Sequence, residues 1–337
     1  MSQKKKAEDL NIAVFANPLK ETKAPKRIES IDLVKGFAMV FIIIAHSSGA
    51  WLDEEWMFLH GQVYAVLDVL GPSLFIFLSA LSVVFSVQSK KGKLPNAIIR
   101  NKILLRGIVI IGIGLLYNAF IPGFTQGDDP LPFPLVLWSW SILVFIGFSQ
   151  IFSYYTLKFP KIPRFIVGCI IIFISFPIRE WLLIDLESDH LKQWLHFIFV
   201  SPSAQVPFFP WFGFCFISSI FGEMLYETMI DGSPKAYNAL VKRFLIIGIL
   251  LVAFGISIGT DLVKHVDYSW NEYPSLRLLW FANKNPWIHF PGMPLFLIRG
   301  MPSNQFYLLG MALIIMAIAF YLVDIKKHNN HFTRILI

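Results

Sequence analysis

An all-α, polytopic transmembrane helix bundle of about eight spans is the fold class this sequence predicts, and three observations carry it. Hydrophobic residues fill 55% of the 337 positions and charged residues only 15%, with 33 Phe and 10 Trp. A soluble domain carries about a quarter charged residues. The mean hydropathy is +0.61, and the charges that remain sit in short clusters between long apolar runs. The net charge of +7 and pI near 9.3 thus belong to loops and do not point to nucleic acid.

Eight runs reach the roughly 20 residues a helix needs to cross a bilayer: 31–51, 65–87, 103–122, 134–156, 163–183, 207–227, 242–260 and 304–323. The first follows a basic tail over residues 1–29 and is too long for a cleavable signal peptide. The second is expected to hold Asp68 in its opening turns, after a short acidic loop at 52–62. Arg100, Lys102 and Arg106 approach or enter the third. The fifth has Pro177 and Arg179 near its end. Pro210 falls in the first turns of the sixth, where a missing N–H costs little. Gly112, Gly114, Gly213, Gly222, Gly248 and Gly255 lie within spans, where small residues let helices approach closely. Cys169 and Cys215 lie in apolar runs and read as buried thiols. Residues 184–206 form an aromatic amphipathic stretch suited to the interface. Residues 261–303 hold Pro274, Pro286, Pro291, Pro294 and Pro302, which reads as an outer cap or a re-entrant segment. The expected domains are the basic tail at 1–29, a membrane domain at 30–325 and a second tail at 326–337.

Loop charge alternates in sign. Lys90, Lys91 and Lys93, then Lys158, Lys161 and Arg164, then Lys235, Lys242 and Arg243 share one side with both tails. Asp53, Glu54 and Glu55, then Asp128 and Asp129, then Asp185, Glu187 and Asp189 take the other. The positive-inside rule sets both termini in the cytoplasm, and the expected localisation is a multi-pass protein of the cytoplasmic (plasma) membrane.

Titratable groups gather at the acidic-loop end. Lys35 and His46 share the first span, about 16 Å apart along its axis. His46 is either an intramembrane functional group or a headgroup-layer imidazole. His60 lies in the short loop and Asp68 just beyond it, so the three fall in one neighbourhood. A histidine can remove a proton from an acceptor near neutral pH, and a carboxylate can orient its ring; Asp68 is the candidate partner. His60 also reads as a solvated loop histidine, and Asp68 as a charge favoured by a helix dipole. On the basic side, Arg100 and Arg106 either bind phosphates through forked contacts or are ordinary flanking charge. His190, His196, His265 and His289 read as interface residues without metal spacing. The chain contains no P-loop, GxGxxG, HExxH or GxSxG, so nucleotide hydrolysis, dinucleotide redox and serine-hydrolase readings lack support.

Four segments together resemble the transmembrane acyltransferases. Arg27-Ile28 through His46, with Asp32 and Lys35-Gly36, is similar to their opening span, whose pattern is Arg, ten residues, His. Asp68-x3-Pro72-x2-Phe75-x-Phe77-Leu78-Ser79 resembles the second span of the heparan-α-glucosaminide N-acetyltransferase-like branch. Pro207-Phe208-Phe209-Pro210-Trp211-Phe212-Gly213 and Arg299-Gly300-Met301-Pro302-Ser303 are similar to two further segments of that branch. The resemblance implies an acyl-CoA-dependent enzyme moving an acyl group, acetyl above all, from the cytoplasm to a sugar or other hydroxyl or amine outside. It implies His46 as base by the acyltransferase-3 pattern and His60 by the heparan pattern; both placements fit the chain, and His46 ranks slightly ahead. Lys35, Arg100 and Arg106 become the cations for acyl-CoA (acetyl-CoA), which is a co-substrate; no metal is implied. Lys35 stands where the pattern has Arg and lacks the planar fork. The chain ends at Ile337, where the family continues for further spans, so it reads as C-terminally short. Expected partners are the lipid bilayer, acyl-CoA and a carbohydrate or other small acceptor, with no nucleic acid and a homo-oligomer left open. A transporter of a small polar or lipid-linked substrate and an inactive structural homologue are the alternatives.

Overall fold

The computed structural model describes residues 28–120, 133–200, 206–264 and 273–327. The tail before residue 28, Asp128, Asp129, His265 and Arg334 lie outside them. The described residues form an all-α bundle. Six helices are long and apolar enough to cross a membrane: α1 (Glu29–Trp51), α4 (Asn96–Phe120), α6 (Lys161–Leu183), α8 (Phe208–Asp231), α9 (Pro234–Ser257) and α10, which runs from Pro302 as α-helix to Ala319 and on as a π-helical turn to Ile325. Two shorter apolar helices, α3 (Pro72–Gln88) and α5 (Ile142–Thr156), stand where the second and fourth spans are expected.

The apolar windows of α8 and α10 are 61% and 67% buried, against 11% for α1. The first two therefore form the centre of the bundle, with α3 beside them. Exposed Met39, Ile43, Leu105, Ile108, Ile249 and Leu250 give α1, α4 and α9 apolar outer faces suited to lipid.

Three helix pairs are drawn together by matched glycines. A Cβ on Gly147 of α5 would lie 2.7 Å from the Gly107 carbonyl of α4, and one on Gly107 would lie 2.9 Å from the Gly147 carbonyl. Gly213 of α8 and Gly168 of α6 stand in the same relation at 2.6 and 3.0 Å, and Gly310 of α10 and Gly248 of α9 at 2.5 and 2.9 Å. In lipid, close backbone packing of this kind does much of what the hydrophobic effect does in water. Arg164, buried in α6, adds a polar tie to α8 through Glu223 and through Ser219 at 3.0 Å.

The acidic loop needs correction. Residues 52–62 do not form a loop, and Asp68 does not open the second span. The chain folds into α2 (Glu54–Val66), then a 3-10 turn at Asp68–Leu70, and α3 starts only at Pro72. Asp53 is extended at φ −67° and ψ 152°, and Glu54 and Glu55 fill the first turn of α2, where negative charge complements the helix dipole. Pro72 supplies the preset φ of a first helical position.

The amphipathic stretch carries α7 (His190–Phe199), capped by Asp189, whose carboxylate accepts from Leu191 N at 2.9 Å. Trp138 and Trp140 donate indole N–H bonds to the carbonyls of Phe197 and Ile198 at 2.7 and 2.6 Å. The described part of the proline-rich segment is irregular. Strand β1 (Leu262–Val263) pairs antiparallel with β2 (Met293–Pro294), and 3-10 turns occupy Pro274–Phe281 and Leu295–Leu297. This cap packs on α2: Leu278 fills the space a side chain at Gly61 would need, and Phe290 meets Phe58 with ring centroids 4.7 Å apart.

Candidate active site

Where α1, α2, the 68–72 corner and the cap meet, they enclose a cavity of about 510 Å³. From α1 it is lined by Phe41, Ala45, His46 and Gly49, and from α2 by Met57, His60, Gly61 and Tyr64. Both sets recur every three or four residues, one face of each helix. Asp68, Ser275 and Arg299 complete the polar lining.

Two polar groupings involve residues of this wall. In the first, Ser48 Oγ lies 2.8 Å from His60 Nε2 and 3.2 Å from the Tyr64 hydroxyl, and it donates to the Ile44 carbonyl at 2.7 Å. The His60 and Tyr64 rings are 4.3 Å apart. Burial lowers the His60 pKa below the ordinary histidine value of 6.5, because the cation loses hydration there. Burial therefore favours the neutral form of the His60 ring. In the second, the Arg299 guanidinium forks onto the Asp68 carboxylate, with Nε donating to Oδ2 at 3.1 Å and Nη2 donating to Oδ1. Burial works against the Arg299 charge, but the adjacent Asp68 charge and its hydrogen bonds raise the pKa above the ordinary arginine value. The side chains are 31% and 10% exposed, so the guanidinium reaches the cavity and the carboxylate lies behind it.

Local structure delivers Arg299. Its backbone N–H donates to Ser275 Oγ at 3.3 Å. Gly300 follows at φ +94°, a conformation L side chains rarely adopt, and a Cβ there would lie 2.6 Å from Nη1 of buried Arg179. Arg179 in turn covers the Tyr273 ring at 4.3 Å. Tyr307 of α10 donates to the Val66 carbonyl at 2.8 Å and anchors the end of α2.

Of the residues singled out from sequence, His46, His60 and Asp68 line this one cavity. Asp68 engages Arg299, whereas His60 engages Ser48. His46 is exposed at the cavity mouth, two turns beyond the last buried residue of α1, Ala38. Lys35 is half-buried in the first half of α1, and Arg100 and Arg106 are exposed on α4; none of the three lines the cavity. Arg100 donates from Nε to Asn101 at 3.2 Å. Sequence reasoning missed Ser48 and Tyr64, and it quoted Arg299 only within a motif. The 57, 60/61, 64, 68 spacing was the signal for Tyr64, hidden by taking α2 for a loop.

The arrangement sets an imidazole, a phenol and a guanidinium around one void, which suits proton removal from an incoming nucleophile and stabilisation of developing negative charge. No curated protein matches the chain. A family model described as heparan-alpha-glucosaminide N-acetyltransferase, catalytic, matches residues 27–253, which covers α1 through most of α9 and ends before Arg299. Helices, cavity and matched span together make this chain a member of the heparan-alpha-glucosaminide N-acetyltransferase catalytic family.

Proposed function

We propose that the protein is an integral-membrane acetyltransferase that takes its acyl group from acetyl-CoA and transfers it to a sugar hydroxyl or amine in the cavity, with His60 as general base. The observation that carries this reading is the half-buried His60 ring, held at 2.8 Å by Ser48 in a cavity that Arg299 also lines. His46 lines the same void but is exposed, so it ranks second. His60 takes the proton from the acceptor as its oxygen or nitrogen attacks the thioester carbonyl. The tetrahedral oxyanion is stabilised by the Arg299 cation, which lines the same cavity. Collapse expels the CoA thiolate, which takes up the proton His60 removed.

The donor is assigned to the basic-loop side. Arg100 and Arg106 are exposed there on α4 and offer forked contacts to the CoA phosphates, with Lys35 as a third cation. The acceptor enters from the acidic-loop side.

Purified protein incubated with acetyl-CoA, and with glucosamine or glucose as acceptor, tests the assignment. His60→Ala is expected to lower turnover by about 10²–10⁴-fold, the usual worth of a positioned base. His46→Ala is expected to cost less, and the double variant to be inactive. Wild-type turnover in the double variant, or transport of the sugar without acetylation, would overturn the reading.

A further inference from the structure

The Ser48 hydroxyl has one proton to give and two lone pairs to offer, and all three are accounted for. Its Oγ is 2.7 Å from the Ile44 carbonyl and 3.2 Å from the Ala45 carbonyl, in the shared geometry of a serine bonding back onto its own helix. Carbonyl oxygens only accept, and with the rotor turned to the nearer one the hydroxyl gives its proton to Ile44. The two lone pairs then face His60 Nε2 at 2.8 Å and the Tyr64 hydroxyl at 3.2 Å. With the rotor so set, both of those groups donate.

We propose that Ser48 is a positioning residue that holds His60 as the Nε2–H tautomer and so makes Nδ1 the nitrogen that takes the proton in acetyl transfer. The proposal rests on the reading of His60 as the base. Ser48 acts through the ring and not as a nucleophile: His60 and Tyr64 line the cavity, whereas Ser48 does not. Attack by Ser48 Oγ would also require its proton to leave Ile44 for His60. When Nδ1 accepts the proton, the Nε2–H bond to Ser48 becomes charge-assisted and therefore stronger. It strengthens as the imidazolium forms, so it acts on kcat and not on substrate binding. Tyr64 supports the same oxygen from the other side.

Nitrogen-15 spectra of histidine-labelled protein in lipid nanodiscs, with His60→Gln to assign the signals, test the tautomer. The expected result at neutral pH is a protonated Nε2 and a bare Nδ1 for His60; a protonated Nδ1 overturns the proposal. Kinetics with acetyl-CoA and glucosamine test the role. Ser48→Ala is expected to lower kcat about tenfold, the worth of one charge-assisted bond, with KM unchanged. Ser48→Thr, which keeps the hydroxyl, is expected to restore most of it. Unchanged kcat in Ser48→Ala overturns the role, as does an acetyl ester found on Ser48 after acid quenching with labelled acetyl-CoA. Undiminished turnover in His60→Ala would instead defeat the base assignment itself, and that outcome is read independently of the tautomer spectrum.

Discussion

Asp68 and Arg299 meet across 231 residues of sequence, and that separation explains what was and was not legible at the residue scale. Asp68, His46 and His60 stood out because titratable groups near apolar runs are few. The partner of Asp68 did not, because only the cap's fold brings Arg299 to it. Ser48 was invisible for another reason: a hydroxyl on a helix is ordinary until its four contacts are known. The ion pair gives a prediction. Asp68→Ala leaves the guanidinium without its counter-charge, at a cost of about 2–3 kcal/mol, below the roughly 3–5 kcal/mol of a fully buried pair, because Arg299 is 31% exposed. Thermal unfolding in detergent measures it. Adding Arg299→Met is expected to recover most of the stability and none of the transfer. His60 gives a pH prediction. Burial disfavours its cation, so the neutral base survives to lower pH than a free histidine. The acid limb of kcat/KM is therefore expected below pH 6.5, and to vanish with His60→Ala; a limb above that value would contradict it. The same sign holds for stability: the unfolded chain binds the proton first as pH falls through 6.5, so the fold loses stability from there downward.

At the scale of elements, α2 shows where hydropathy fails. Asp53, Glu54 and Glu55 suggest a loop by polarity, yet acidic residues at a helix start are favourable, and the apolar spacing behind them is helical. Periodicity would have found α2 where average hydropathy did not. The glycines were visible as small residues in spans, but not their pairing, which needs two helices at once. Gly213→Ala would set a Cβ 2.6 Å from the Gly168 carbonyl, and backbone there cannot yield as a side chain can. A loss of about 1–3 kcal/mol is expected, the usual cost of overpacking. Gly112 meets nothing within 4 Å, so Gly112→Ala is expected to be neutral or stabilising by up to about 1 kcal/mol, from helix propensity alone. Melting curves of the two variants in the same lipid make the comparison. Gly300→Ala is expected to harm activity more than stability, since its turn aims Arg299.

For the whole molecule, the apolar runs gave the architecture directly. Bilayer hydrocarbon leaves the backbone few options, so composition and run length constrain a membrane fold more tightly than a soluble one. The acidic-loop end, where negative loops cluster, is also where the cavity opens among α1, α2 and the cap. The proposed enzyme is therefore directional: donor at the basic face, acceptor at the acidic face, and chemistry at His60. Vesicles holding the protein in one orientation, with labelled acetyl-CoA supplied only at the basic-loop face and glucosamine only at the acidic-loop face, test this most directly. The account predicts acetylated glucosamine on the acidic-loop side with wild-type protein and a loss of about 10²-fold or more with His60→Ala. Transfer that survives His60→Ala, or that occurs only when both substrates share one face, would contradict it.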